Sequence, residues 1–101
     1  MEVGEIIRLI ESGKETWNKW KKANRGIRVR LEGIDFRGRD LSGFLFTDMG
    51  LVKVNFEGSN LEDAHFGKSA LFASNFSKCN LKNCHFIEAK LHNTFFIESN
   101  L

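Results

Sequence analysis

A large apolar residue recurs at every fifth position from residue 31 to the end of the chain. Leucine and phenylalanine alternate without exception over these fifteen positions: Leu31, Phe36, Leu41, Phe46, Leu51, Phe56, Leu61, Phe66, Leu71, Phe76, Leu81, Phe86, Leu91, Phe96 and Leu101. An amphipathic helix repeats about every 3.6 residues and a half-buried strand every two, so neither element explains a period of five. A fixed internal repeat predicts a solenoid in which each unit packs on its neighbours.

The residues that precede the apolar positions also repeat. The residue immediately before is most often Asp or Asn, and the residue two before is mostly small in the second half of the chain. The segments SNLED, SNFSK, CNLKN and the final SNL show this pattern most clearly. On these motifs, residues 29–101 resemble the pentapeptide-repeat family, and the resemblance covers nearly three quarters of the chain.

The resemblance implies an all-β solenoid, a right-handed quadrilateral parallel β-helix, over residues 27–101. Four pentads would form one coil and fifteen pentads just under four coils, so residues twenty apart would be neighbours at about 4.8 Å. The two Phe columns would lie on opposite walls. Asp and Asn would occupy corners, where their side chains bond nearby backbone. We also expect stacked amide side chains in two columns, Asn55/Asn75 and Asn60/Asn80/Asn100.

The first coil departs from the small-residue rule. The residues two before its apolar centres, and those at the start of the next coil, are larger: Val29, Ile34, Phe44, Met49 and Val54. Arg39 occupies the same position and is charged. We therefore expect a wider or distorted first coil, with Arg39 turned outward.

Residues 1–26 have a helical pattern instead. Val3, Ile6, Ile7 and Ile10 recur at helical spacing, and Trp17 and Trp20 extend the apolar stripe. The segment Ser12-Gly13-Lys14-Glu15 fits a capping box, which predicts two short helices that meet near Ser12. We expect these helices to end near Asn24 and Gly26 and to cover the first coil with Ile6, Ile10, Trp17 and Trp20.

A basic cluster, KWKKANR, lies at the end of the helical segment. It could be a patch that contacts nucleic acid or a membrane. We favour a solvated helix face whose cations complement the negative end of the helix dipole. The formal net charge of +2 is too small to indicate a nucleic-acid partner by itself.

Composition places the chain among globular proteins of one domain, with 42% hydrophobic and 28% charged residues. Ten Phe, no Tyr and no Pro are unusual, so turns must form without proline. Charges interrupt the apolar residues of the first segment, which predicts neither a signal peptide nor a membrane span. A cytoplasmic protein is the default expectation.

Two cysteines and a histidine lie close together in NFSKCNLKNCHF. Cys79 and Cys84 fall at the small inward position, which predicts apolar fillers, and His85 falls one coil after His65. A zinc site would need a further ligand and an outward-turned thiol. We therefore expect no metal, no cofactor and no reactive thiol. No catalytic constellation stands out from the repeat, which predicts a protein that is not an enzyme and has no small-molecule substrate.

Apolar residues also occupy positions that should face water. Val52, Phe72 and His92 follow one another on one wall, beside the small residues Gly50 and Ala70. These residues form either a partner-binding patch or only a locally apolar wall. The last coil adds Phe95 and Ile97, and Leu101 ends an uncovered turn. We expect either a second protomer there, stacked end to end, or a longer natural chain of which this is the N-terminal part, in a larger bacterial protein.

Two functions fit these features. The first is a noncatalytic interaction or assembly module that binds itself or another protein. The alternative, implied by the resemblance, is a DNA-like modulator or protector of DNA gyrase. That mechanism needs an acidic rod, whereas residues 27–101 contain nine Lys/Arg and nine Asp/Glu. The rod is also short, roughly 20 Å. A neutral, short rod favours the first function, and a secreted host-directed effector has no positive signal in the sequence.

Overall fold

The computed structural model describes residues 1–101, with two helices followed by a coiled β-structure. Helix α1 spans Val3–Glu11 and helix α2 spans Lys14–Ala23. Two short strands follow, β1 at Arg30–Glu32 and β2 at Gly50–Val52. They pair in parallel, with Leu31 opposite Leu51.

Parallel pairing continues along the chain at a constant offset of twenty residues. The single bridges are Asp35–Asn55, Asp40–Asn60, Leu45–His65, Gly50–Ala70, Asn55–Asn75, Asn60–Asn80, His65–His85, Ala70–Lys90, Asn75–Phe95 and Asn80–Asn100. Each bridge lies at the residue before an apolar centre, so one coil contains four pentads. This is the neighbour relation that the family resemblance implies.

The alternating Leu and Phe residues fill the interior. Phe rings stack within a column, as Phe56 does on Phe76 with centroids 4.9 Å apart. Rings of the two columns meet edge to face, with the Phe66 and Phe76 centroids 5.2 Å apart at 85°. Both arrangements are favourable for aromatic pairs. The core is therefore a continuous stack that runs the length of the β-helix.

The second residue after each apolar centre has a positive φ. Four of these residues are glycines, but ten are not: Asp48, Lys53, Asp63, Lys68, Ala73, Lys78, Asn83, Glu88, Asn93 and Glu98, with φ between 53° and 62°. This left-handed conformation turns the chain at each corner without proline. It costs a side chain other than glycine roughly 1–2 kcal/mol.

Asp and Asn side chains bond the backbone of the corner that follows them, as predicted, but these residues themselves lie at the β-bridges of the walls, so their predicted place at the corners is wrong. Asn55 Oδ1 accepts the N–H of Glu57 at 3.0 Å, and Asn75 Oδ1 accepts that of Ser77 at 2.9 Å. An amide contact also joins two coils, since Asn80 Nδ2 donates to Asn60 Oδ1 at 3.2 Å. The amide bonds expected between Asn55 and Asn75 and between Asn80 and Asn100 do not form, so that part of the prediction is wrong.

Small residues at the inward position have a second role that the repeat pattern did not reveal. Ser69 is fully buried, its Oγ donates to Phe46 O at 2.5 Å, and it accepts the N–H of Met49 at 3.0 Å. Ser59 Oγ makes the equivalent bonds to Phe36 O and Arg39 N–H. These hydroxyls satisfy backbone groups of the preceding coil that have no other partner in the interior.

The helix boundaries correct one detail of the prediction. Two helices do meet near Ser12, but Gly13 rather than Ser12 precedes α2, so the predicted capping box is wrong. Ser12 ends α1 in helical conformation, and its Oγ donates to Arg8 O at 2.7 Å. Gly13, with φ 107°, turns the chain into α2. A reciprocal cap forms instead at α1, where the Glu2 N–H donates to Glu5 Oε1 at 3.0 Å.

The two helices pack on the first coil. Ile6, Ile10 and Trp17 are buried in the same core cluster as the Leu and Phe columns, and Trp20 packs against it. Trp17 Nε1 donates to Leu45 O at 2.8 Å, which ties the helix to the backbone of the coil. No helix of the chain is long and apolar enough to cross a membrane. The cytoplasmic location stays a prediction.

Arg39 turns out of the interior, as expected from its charge. Its Nη1 lies 2.8 Å from Glu11 Oε2 at the end of α1, and its guanidinium lies 5.6 Å from the centroid of the Phe36 ring. The one charged residue at an inward position therefore joins the first coil to the helices.

Candidate interaction surfaces

The last coil carries five of the six large exposed apolar side chains of the β-helix, the sixth being Ile27. The exposed fractions of the five are 69% for Ile87, 37% for Leu91, 50% for Phe95, 64% for Ile97 and 78% for Leu101. Phe95 and Ile97 point outward from one wall. In the preceding coils the position of Phe95 is taken by Asp35, Asn55 and Asn75. The position of Ile97 is taken by Arg37, Glu57 and Ser77. Only in the last coil does this wall present two apolar side chains to solvent.

The backbone of the last coil also has free hydrogen-bonding groups. In earlier coils the N–H of each apolar centre donates to the next coil, as Phe66 N does to His85 O and Phe76 N to Phe95 O, both at 2.7 Å. The N–H groups of Phe86, Leu91 and Phe96 donate to no carbonyl of the chain. Such an open edge is a template for pairing with another strand.

Val52, Phe72 and His92 form a column on the neighbouring wall. The Phe72 and His92 rings stack with centroids 5.4 Å apart. Val52 and Phe72 are half-buried, and Ala70 beside them is 9% exposed, so this wall presents less apolar surface than the last coil. The predicted contact residues thus divide into this column and a separate group, Phe95, Ile97 and Leu101.

Lys21 is the exception to the solvated face predicted for the basic cluster, whose other cations, Lys19, Lys22 and Arg25, are exposed. It is 4% exposed and lines a groove together with Lys22, Arg25 and Lys68. Burial lowers the pKa of Lys21, while the nearby Asp48 carboxylate opposes that change. The reason is helical spacing, because Lys21 follows the buried Trp17 by four residues and so lies on the same face of α2.

Comparison with known families decides the identity of the repeat. The family model for pentapeptide repeats (8 copies) matches residues 30–67 and 64–101. The chain belongs to the pentapeptide-repeat family. The β-helix of this pentapeptide-repeat protein is therefore right-handed, and members of the family are typically noncatalytic structural or interaction proteins.

Two solved structures are similar to this pentapeptide-repeat protein. One is a pentapeptide repeat protein (Rfr23) from the cyanobacterium Cyanothece 51142, with 22% identity and a TM-score of 0.63 over 66% of this chain and 46% of that chain. The other, from the thylakoid lumen of Arabidopsis thaliana, has 26% identity and a TM-score of 0.34 over 78% and 64% of the two chains. The chain thus spans less than two thirds of either. No curated protein matches it.

The cysteines of this pentapeptide-repeat protein face the core. Cys79 is 2% exposed, and its Sγ donates to Phe56 O at 2.9 Å. Burial raises the pKa of the Cys79 thiol and raises that of Cys84 to about 12. Since the thiolate is the nucleophile and metal ligand, the raised pKa disfavours the reactive form of both groups at neutral pH.

His65 and His85 stack directly, with ring centroids 4.4 Å apart. Burial, and next the neighbouring His85, lower the pKa of His65. The chain contains no group of three His, Cys, Asp or Glu side chains that could hold a metal ion. The pair is explained by its register, since the two residues are twenty apart and form a parallel β-bridge.

Proposed function

We propose that this pentapeptide-repeat protein is a noncatalytic protein–protein interaction module that self-associates through its last coil. The observation that carries the proposal is the outward pair Phe95 and Ile97, 50% and 64% exposed, at positions that are polar in every earlier coil. Exposed apolar side chains that cluster on one surface are typical of contact sites.

Two copies that pair through their last coils fit this surface better than copies that stack head to tail. Helices α1 and α2 cover the first coil with Ile6, Ile10 and Trp17, so that end offers no matching edge. Two copies that meet through the same last coil would form a closed, two-fold pair. The free N–H groups of Phe86, Leu91 and Phe96 would then find carbonyl partners across the pair.

The strength of such a pair is modest. Burying one large apolar side chain completely is worth about 1.5–3 kcal/mol, and these side chains are already partly covered. Association costs about 4–15 kcal/mol in lost translational and rotational freedom. Several half-exposed side chains from each copy therefore support a weak dimer, with a dissociation constant of the order of micromolar.

The charge distribution gives no support to the DNA-mimic alternative. Each wall mixes both signs: Lys68 lies between Asp48 and Glu88 in one column, and Lys82 follows Glu62 in another. A surface that replaces DNA needs a continuous negative potential, which alternating charges cancel.

Sedimentation velocity over low-micromolar to near-millimolar protein concentrations tests the proposal. The wild-type chain should shift from monomer to dimer, and Phe95→Asp or Ile97→Lys should abolish the shift. Ile27→Lys is the matched control, because Ile27 is 49% exposed at the other end of the β-helix. A wild-type chain that stays monomeric, or variants that dimerise as it does, would refute the proposal. Unchanged circular dichroism in the variants shows that the fold is intact.

A further inference from the structure

Lys21 is a buried cation without a partner. The exposed fraction of this residue is 4%, yet its ammonium group makes no side-chain hydrogen bond. None of the three ion pairs of the chain, Arg28–Asp48, Arg37–Asp35 and Arg39–Glu11, includes Lys21. Burying an unpaired charge is costly unless a counter-ion or polar partner compensates it.

The ammonium group retains access to the groove. No completely buried side-chain nitrogen or oxygen of the chain lacks a hydrogen-bond partner. Since Lys21 Nζ has none, it must keep a small opening to solvent. That opening is the groove between α2 and the wall below it, which Lys21 lines and which has a volume of about 470 Å³. This volume is in the range of small-molecule sites.

The groove has a strong excess of positive charge. Lys22 and Arg25 from the end of α2 and Lys68 from the β-helix line it beside Lys21. Its one carboxylate, Asp48, is already bonded to Arg28, with Nη1 and Oδ1 2.5 Å apart. Four cations therefore face one neutralised acid.

No lysine or arginine side chain of the groove bonds a carbonyl of α2. Two carbonyls of its last turn are bonded by Asn24 instead, whose Nδ2 donates to Trp20 O at 2.8 Å and whose N–H donates to Lys21 O at 3.3 Å. The lysine and arginine side chains remain available to a ligand.

We propose that this groove binds a small molecule that carries a phosphate or pyrophosphate group. Several cations match a group with two or more negative charges and three or more acceptor oxygens better than they match a single carboxylate. The Thr47 hydroxyl adds a hydrogen-bond donor, and Leu45 and Ile87 supply an apolar side for the organic part of the ligand. A bound anion also replaces the solvation that Lys21 loses on burial. The groove shares Ile87 with the last coil, but its cations lie apart from Phe95 and Ile97, so substitutions at Lys21 or Lys68 test this proposal separately from the dimer.

Inorganic pyrophosphate is the probe, titrated into the ¹⁵N-labelled full chain at constant ionic strength. We expect saturable chemical-shift changes at Lys21, Gly67 and Lys68. The Lys21→Met variant keeps the length of the side chain without its charge and should weaken binding about tenfold or more. Lys19→Gln is the matched control, because Lys19 is exposed on the same helix and does not line the groove.

Lys68→Gln tests the same site from the β-helix and needs no change in a buried residue. Its affinity should fall while that of Lys19→Gln stays within twofold of the wild type. Three results would overturn the proposal: no saturable binding of pyrophosphate, an equal loss in Lys19→Gln, or tighter binding of a hexaglutamate peptide in the groove. The last result would indicate an acidic protein segment as the ligand.

Discussion

Ser69 offers the most direct test of how neighbouring coils are joined. Its hydroxyl is buried between coils, where it donates to Phe46 O at 2.5 Å and accepts the Met49 N–H at 3.0 Å. Neither backbone group has another partner. Replacing Ser69 with Ala removes both bonds without adding bulk, and each unsatisfied buried polar group costs about 1–3 kcal/mol.

The structure also shows how far the backbone can compensate. Ala64 takes the position of Ser69 on the neighbouring wall and has no hydroxyl. There the Phe44 N–H, which is equivalent to the Met49 N–H, donates to Leu41 O at 3.3 Å within its own coil. Met49 N–H and Phe46 O are separated by the same three residues, so they can form the same weaker bond. This compensation brings the expected cost of Ser69→Ala to about 2 kcal/mol, the lower part of the range.

Equilibrium unfolding in urea, followed by circular dichroism, measures this cost. A loss of about 2 kcal/mol corresponds to a fall in Tm of roughly 8–16 °C for a domain of this size. The control is Ser42→Ala, because the Ser42 hydroxyl bonds only the exposed Asp40 side chain, at 2.8 Å. A Ser69→Ala variant as stable as Ser42→Ala would refute the view that buried hydroxyls join the coils.

Three further predictions address the turns, the thiols and the pH dependence. Ala73→Gly should stabilise the chain by up to about 1 kcal/mol in urea unfolding, because Ala73 has φ 58°, which glycine adopts more easily. Ala89, which has no positive φ, is the control, and Ala89→Gly should destabilise the chain. The opposite order of the two variants would contradict this explanation of the corners. Cys84 is half-buried and its pKa is raised to about 12, so it should react with a thiol reagent at pH 8 much more slowly in the native than in the unfolded chain, and equal labelling rates would contradict this. The side-chain and backbone hydrogen bonds from Arg37 lower the pKa of Asp35 to about 2, so its stabilising contribution is complete above the unfolded value of 3.8 and is lost as the pH falls through about 2. An NMR titration should find this midpoint and its rise in Arg37→Ala, and an unchanged midpoint in the variant would exclude the pairing.

The period of five, together with the four pentads per coil that the family resemblance implies, predicted the register of the β-helix. Once the family resemblance supplied four pentads per coil, the stacking of Phe56 on Phe76 and of His65 on His85 followed from their separation of twenty residues. The corner bonds of Asp and Asn followed from their known tendency to bond local backbone. Regular repetition makes such contacts predictable because each coil places the same position in the same environment.

Features that depend on a single side chain were harder to predict. Lys68 and Ala73 have a positive φ at the corners, although lysine and alanine rarely adopt this conformation. The sequence therefore predicts a left-handed residue only at the corners that have glycine. The small residues were predicted as fillers, since composition does not show that Ser69 completes the bonds of another coil. Lys21 was detectable in principle, because it lies one helical turn after Trp17.

The candidate contact surface was predictable for a related reason. Phe95 and Ile97 stand out because they depart from a pattern that their columns otherwise keep, and both side chains are exposed in the structure. The column of Val52, Phe72 and His92 departs from the pattern too, but the first two side chains are half-buried on their wall. Exposure depends on how neighbouring side chains cover one another, which the repeat alone does not specify.

Amide hydrogen exchange across a series of protein concentrations tests the central claim, that two copies pair through the last coil. The N–H groups of Phe86, Leu91 and Phe96 have no acceptor within the chain, whereas Phe66 N and Phe76 N are bonded inside it. If two copies pair in this way, exchange at Phe86, Leu91 and Phe96 should slow as the protein concentration rises and the dimer forms. Exchange at Phe66 and Phe76 should not depend on the protein concentration. Exchange at Phe86, Leu91 and Phe96 that is fast at every concentration would contradict it.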